Sequence, residues 1–236
     1  MKKLYLFGDS FSLMNDGVII QTGISKYIEN NSHSSLSNDH ILKLAKIKLV
    51  KLIENGIKDV NILIQLTVPD RMLVIYNEKF KKSISNPSNL KYDFSKSHYQ
   101  DSEIFEEKMY CTLYPFLGGY EDSLIKNVYI PYTTFVVNNN LKNLLKDWIL
   151  ELKILSLLAK ENNINLEYFF YTNNYDFHLK NDSLNSSHIK FGDFDCMETF
   201  LNSSNKSNYF VSKMDKHFND EGNFWYALFL KQRYDI

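Results

Sequence analysis

Apolar residues fall into two patterns along the chain. In three places they form short, nearly unbroken runs: KLYLF (3–7), VNILIQL (60–66) and NLEYFFYT (165–172). Runs of this length, rich in β-branched and aromatic residues, predict buried strands. In three longer stretches the apolar residues recur at helical spacing. Residues 39–55 put Ile41, Leu44, Ala45, Leu49, Leu52 and Ile53 on one face. Ser37, Asn38 or Asp39 suits the N-cap of that helix, and Gly56 suits its C-terminal stop. Residues 141–162 predict the longest helix, with Leu144, Leu145, Trp148, Leu152, Leu155 and Ala159 on or near its apolar stripe. Residues 219–233 predict a closing helix. The order strand, helix, strand, long segment, helix, strand, helix predicts an α/β fold around a parallel sheet.

Two stretches do not fit a bare scaffold. Residues 77–135 are rich in Tyr, Phe, Ser and Lys, and residues 173–212 in Asn and Ser. Long irregular segments inside a domain are commonly functional, so 77–135 reads as an insertion that can serve as a lid. No Pro- or Gly-rich linker divides the chain, and residues 1–236 read as one domain.

Composition narrows the function classes. The formal net charge is −1, so no bulk electrostatic attraction points to nucleic acid or an anionic membrane. At 236 residues and 44% hydrophobic, the chain can bury a sizeable core. The two cysteines, Cys111 and Cys196, follow no metal-ligand spacing and fit a reduced, cytoplasmic setting. The apolar run near the N-terminus is too short for a signal peptide. No run approaches the roughly 20 residues of a membrane span.

The first strand ends in FGDSFS (7–12). Ligands of parallel sheets sit beyond the carboxyl ends of the strands. Gly8 permits a tight turn there, and Ser10 follows at that edge, where its hydroxyl suits attack on an acyl carbon and its N–H suits an oxyanion. The same residues also suit an ordinary turn. A serine nucleophile needs a base. Of the six histidines, His33, His40, His98, His178 and His188 sit in polar surroundings and read as surface or loop residues. His217 stands apart, in KMDKHFNDEGNFWYALFLK (213–231), just ahead of the closing helix and two residues after Asp215. Asp215 suits the orienting acid and His217 the general base. The alternative is a pair of solvated residues ahead of a helix cap.

The two ends together, FGDSFS and DKHFNDEGNFWYA, resemble the SGNH (GDSL-type) hydrolase family. The resemblance implies a three-layer, flavodoxin-like fold with a central parallel sheet. It implies Ser10 as nucleophile, His217 as general base and Asp215 as its partner. Phe218 stands where proline is usual, while Asn219 and Gly222 match. SHSSLSNDHILKL (32–44) resembles the family's Gly-x-Ser-Asn stretch and puts Ser35 at the glycine position of the oxyanion hole; Ser35, Ser37 and Asn38 equally suit a helix cap. IQLTVPDRMLV (64–74) lacks the asparagine of the next block and resembles a subgroup with Thr or Ser and a nearby Arg. Thr67 then suits an oxyanion donor. Arg71 suits an anionic substrate group, or an ion pair with Asp70 or another carboxylate.

The resemblance implies hydrolysis of O-acyl esters, O-acetyl above all, on a carbohydrate or a small ester. Transfer of the acyl group to a glycan hydroxyl uses the same triad, and a catalytically silent binding protein of the same fold is the reading from a different class. The aromatics of 77–135 suit stacking on sugar rings or a small core of their own. No phosphate loop is present, and the reading requires no cofactor. Asp193, Asp195 and Cys196 cluster without completing a metal-ligand set, so no metal site is expected.

Overall fold

The computed structural model describes residues 2–9, 18, 21–32, 37–67, 72–76, 109–113, 130–172, 186–204, 206–212 and 217–236. The chain divides into two compact units. The first comprises Met1–Val68 and Leu145–Ile236, and the second is Pro69–Leu144.

The first unit is built on a parallel four-stranded sheet. Its strands are β1 (Leu4–Phe7), β2 (Ile28–Asn30), β3 (Asn61–Leu66) and, beyond two strands of the second unit, β6 (Asn165–Phe170). They lie in the order β2-β1-β3-β6. Leu4 pairs with Ile28 on one side and Asn61 on the other, and Asn61 pairs in turn with Asn165. From β1 the chain moves to one side to form β2, and then crosses to the other side to form β3 and β6. The topological switch point therefore lies between the carboxyl ends of β1 and β3. All residues of β1 and β3 are buried, as continuous apolar strands covered on both faces must be.

Helix α1 (Asn38–Glu54) connects β2 to β3. Ser37 is its N-cap, and its hydroxyl accepts from the His40 N–H at 3.3 Å. At the far end Gly56 takes φ +65, and the N–H groups of Gly56 and Ile57 donate to the carbonyls of Ile53 and Leu52. That paired closure needs a left-handed residue, which glycine supplies without strain. Ile41, Leu42, Ala45, Leu49 and Leu52 are buried. Lys48 lies 4.3 Å over the Tyr5 ring and bonds Glu29 on β2, so α1 covers the Tyr5 face of the sheet. Helix α2 (Ile130–Glu161) lies beside it, where the Trp148 indole N–H donates to Asp39 at 2.8 Å.

The opposite face carries Leu4, Leu6, Leu63, Phe169 and Tyr171, which form one core with Tyr226, Ala227 and Leu230 of the closing helix α4 (Asp220–Tyr234). Arg233 clamps that helix to β6 through two bonds to the Glu167 carboxylate, at 3.0 and 2.5 Å. The result is an α/β arrangement with helices on both faces of the parallel sheet, compatible with a flavodoxin-like fold.

Several elements differ from expectation. The long helix begins at Ile130, not 141. Its opening, IPYTTFVVNNN, is poor in helix formers, but Pro131 falls in the first turn, where its missing N–H costs nothing. Within the predicted irregular stretch 173–212 lie α3 (Met197–Ser203) and a 3-10 turn at Ser207–Tyr209. The second unit contains β4 (Met72–Tyr76) and β5 (Met109–Leu113), paired antiparallel. Most of the 77–135 span lies outside the described residues. Among the described residues, no helix is long and apolar enough to cross a membrane.

Gly56→Ala places a Cβ on a left-handed residue. It is expected to lower stability by about 1 kcal/mol in urea unfolding, with an unchanged m-value.

Candidate active site

The carboxyl edge of the sheet is assembled by a buried polar cluster at the switch point. Gly8 and Asp9 follow β1 directly, and Asp9 is fully buried. Its carboxylate accepts from the Thr67 hydroxyl and, at 3.1 Å, from the Gln65 side-chain amide. The Asp9 N–H donates back to the Gln65 amide oxygen at 3.3 Å. Gln65 and Thr67 belong to the end of β3, so the chain leaving β1 is tied to its neighbour through both backbone and side chain.

Asn38, the first residue of α1, completes the cluster. Its side-chain oxygen accepts from the Thr67 N–H at 2.8 Å, and its amide donates to the Thr67 carbonyl at 3.2 Å. An asparagine presents one acceptor and two donors, so it can satisfy a strand residue's N–H and C=O together. Gln65, Thr67 and Asn38 are all buried. The start of α1 is thereby pinned to the end of β3.

The loop bearing His217 arrives at the same edge from the other end of the chain. Tyr171 follows β6, and its N–H donates to the Leu66 carbonyl at 3.0 Å. Phe218 packs edge-on against Tyr171, with ring centroids 5.7 Å apart, and stacks on Phe210 at 6.2 Å. The His217 carbonyl accepts from the Val211 N–H at 2.9 Å. His217 itself is half-buried. Asn219 caps α4 by accepting from the Gly222 N–H at 2.9 Å. A Cβ on Gly222 would collide with the Tyr209 carbonyl oxygen and come within 2.7 Å of the Phe218 ring. Glycine here lets the helix start lie directly against the segment that carries His217.

The structure thus brings Thr67 and the His217 loop to the sheet edge where Asp9 ends β1. Ser10, Ser35, Arg71 and Asp215 lie outside the described residues. Thr67 is engaged in a different way from the expected oxyanion donor: its hydroxyl is directed to Asp9 and its N–H to Asn38.

Several residues at this edge carry no site role in the sequence alone, Asn38 reading there only as a helix cap and Asp9 only as part of the Gly-Asp-Ser turn. Asp9, Gln65 and Asn38 form the polar cluster. Glu198, in the first turn of α3, is buried at the same edge, where its N–H donates to the Tyr171 carbonyl at 2.9 Å. Two histidines expected at the surface are buried, His40 at 1% and His188 at 9% exposure. His40 lies in the first turn of α1, which packs on the sheet. His188 bridges to Tyr168 of β6 and packs against the Tyr168 and Phe170 rings at 5.4 and 5.6 Å. Among the described residues, no group of three His, Cys, Asp or Glu side chains could hold a metal ion.

Comparison of the chain with protein-family models, with curated proteins and with solved structures finds no match.

Two outcomes follow from this geometry. Thr67→Val removes a donor from the buried Asp9 carboxylate, and is expected to cost about 2 kcal/mol in denaturant unfolding, while Thr67→Ser keeps most of the stability. His188 is held neutral by burial, which lowers its pKa from 6.5 to about 4 against the opposing pull of Asp195. The unfolded chain therefore takes up this proton first as pH falls. The contribution of His188 is complete above pH 6.5 and declines towards pH 4, by up to about 3 kcal/mol in all. Unfolding midpoints measured across that window should fall with pH in the wild type and fall less in His188→Gln.

Proposed function

We propose that the protein is a serine-dependent hydrolase of O-acyl esters, O-acetyl groups above all, with an SGNH-type fold. The observation that carries this reading is the buried clamp on Asp9 at the switch point. A buried carboxylate tied to the neighbouring strand fixes the backbone one residue before Ser10, at the edge where parallel sheets bind ligands. The His217 loop reaches the same edge through Phe218 and Tyr171, which supports its assignment as general base.

In the proposed mechanism Ser10 Oγ attacks the acyl carbon and His217 takes its proton. The tetrahedral oxyanion forms against backbone N–H groups, those of Ser10 and Ser35 being the candidates. His217 then protonates the leaving alkoxide, and water repeats the sequence to release the acid. Asp215 orients the imidazole and favours its charged form. Arg71 is the candidate partner for an anionic group on the substrate.

One observation favours a second reading, a silent binding protein of the same fold. Thr67 spends its hydroxyl on Asp9 and its N–H on Asn38, so neither is directed at an oxyanion. Loss of one oxyanion donor costs about 3 kcal/mol of barrier lowering, and activity then depends on the backbone donors.

A fluorophosphonate probe separates the two readings. The hydrolase should be labelled covalently and should turn over p-nitrophenyl acetate, and Ser10→Ala should abolish both, with a fall in kcat of at least about 1,000-fold. A folded wild-type protein that neither labels nor shows Ser10-dependent turnover is not a hydrolase.

A further inference from the structure

Helix α2 is apolar on two opposite sides. A helix that covers a sheet normally buries one apolar stripe and turns polar residues outward. Trp148, Ile149, Leu152, Leu155 and Ala159 form the buried stripe. On the far side Leu150, Ile154 and Leu157 recur at intervals of four and three residues, and they are 57%, 55% and 62% exposed. Leu158 and, on neighbouring α1, Val50 widen this outer strip. Lys46, one turn before Val50, bonds Glu151 of α2, so the two helices contribute to one surface. All of these residues belong to the first unit.

Apolar residues scattered singly over a surface need no explanation, but a contiguous strip does. This one presents on the order of 400 Å2, the size that marks an interaction site. The charges at its ends indicate what covers it. Lys146 and Asp147 stand at its start, and Lys160 and Glu161 at its finish, all four exposed. Each end carries one base and one acid, so neither end attracts a strongly charged partner. The two ends complement each other instead. With a second copy laid antiparallel across a twofold axis between Lys153 and Ile154, Lys146 falls opposite the partner's Glu161, Asp147 opposite the partner's Lys160 and Leu150 opposite the partner's Leu157. One register serves all three pairs, because each is equidistant from the axis. Such self-complementarity is what a twofold interface requires. Antiparallel pairing also sets the two helix dipoles head to tail.

We infer that the outer face of α2 is the interface of a homodimer, formed by antiparallel pairing of this helix with that of a second copy. The contact buries on the order of 1,000 Å2 in total, at the low end for a specific complex, so the dimer dissociates in the micromolar range.

Sedimentation equilibrium of the full chain, from low micromolar to submillimolar concentration, reads the association directly. The wild type should pass from monomer to dimer across that range. Ile154→Glu, which sets two carboxylates at the axis, should raise Kd by at least about 30-fold with an unchanged Tm. Lys146→Glu and Glu161→Lys should each raise Kd about 5-fold, and the two together should bring it back close to the wild-type value. These two residues stand about 22 Å apart along one helix, so only a second copy can bring them together. A wild type that stays monomeric throughout overturns the inference. So does a dimer that Ile154→Glu leaves intact, or one that the double charge swap fails to restore. Should Ile154→Glu lower Tm, the charge swaps decide alone.

Discussion

The fold is held at its functional edge by a carboxylate that has left water. Asp9 is fully buried, and a charged group in that position persists only if donors surround it. Thr67 and Gln65 supply them from β3, and Asn38 holds Thr67 from the start of α1. Three elements meet in these contacts: the end of β1, the end of β3 and the first residue of α1. Because each bond in the set lacks competition from solvent, each is worth more than its surface counterpart. The switch point, where the chain reverses its progress across the sheet, is thereby specified by directional hydrogen bonds from three elements.

That rigidity contrasts with the way the other end of the chain is attached. The His217 loop is seated by aromatic packing, Phe218 against Tyr171 and Phe210, and by Gly222, which lets α4 begin almost in contact with Tyr209. One side of the edge is thus fixed by side-chain hydrogen bonds to a buried carboxylate, and the other is placed by ring packing together with backbone hydrogen bonds such as that from the Val211 N–H to the His217 carbonyl. Under the proposed hydrolase reading, a fixed strand end and an imidazole-bearing loop at the same sheet edge would suit acyl transfer, in which a base takes up and delivers a proton.

Much of the scaffold could be read from the chain because its signals are local. KLYLF, VNILIQL and NLEYFFYT are continuous apolar runs, and all three are strands of the parallel sheet. Ser37 and Gly56 bound α1 through chemistry within a few residues. β2 has no sequence signature because its three half-buried residues, Ile28, Glu29 and Asn30, carry no pattern. The start of the long helix is not legible because its Thr, Val and Asn residues weigh against helix, whereas propensity is only a weak prior. In the candidate site, Gly8-Asp9-Ser10 and His217 stood out as residue types in suggestive places. The clamp did not, because it joins Asp9 to Gln65 and Thr67 across 56 and 58 residues. Nor did the burial of His188, which depends on Tyr168 and Phe170 closing over it. Contacts set by register between distant strands leave no trace in neighbouring sequence.

The central claim is that an alcohol oxygen following the Asp9 clamp meets the imidazole of His217. A crystal structure of the wild-type protein measures that separation directly. The account predicts Ser10 Oγ within hydrogen-bond reach of a His217 ring nitrogen, about 3 Å, or bridged to it by a single water. A separation of about 8 Å or more, with both side chains well ordered, would contradict it.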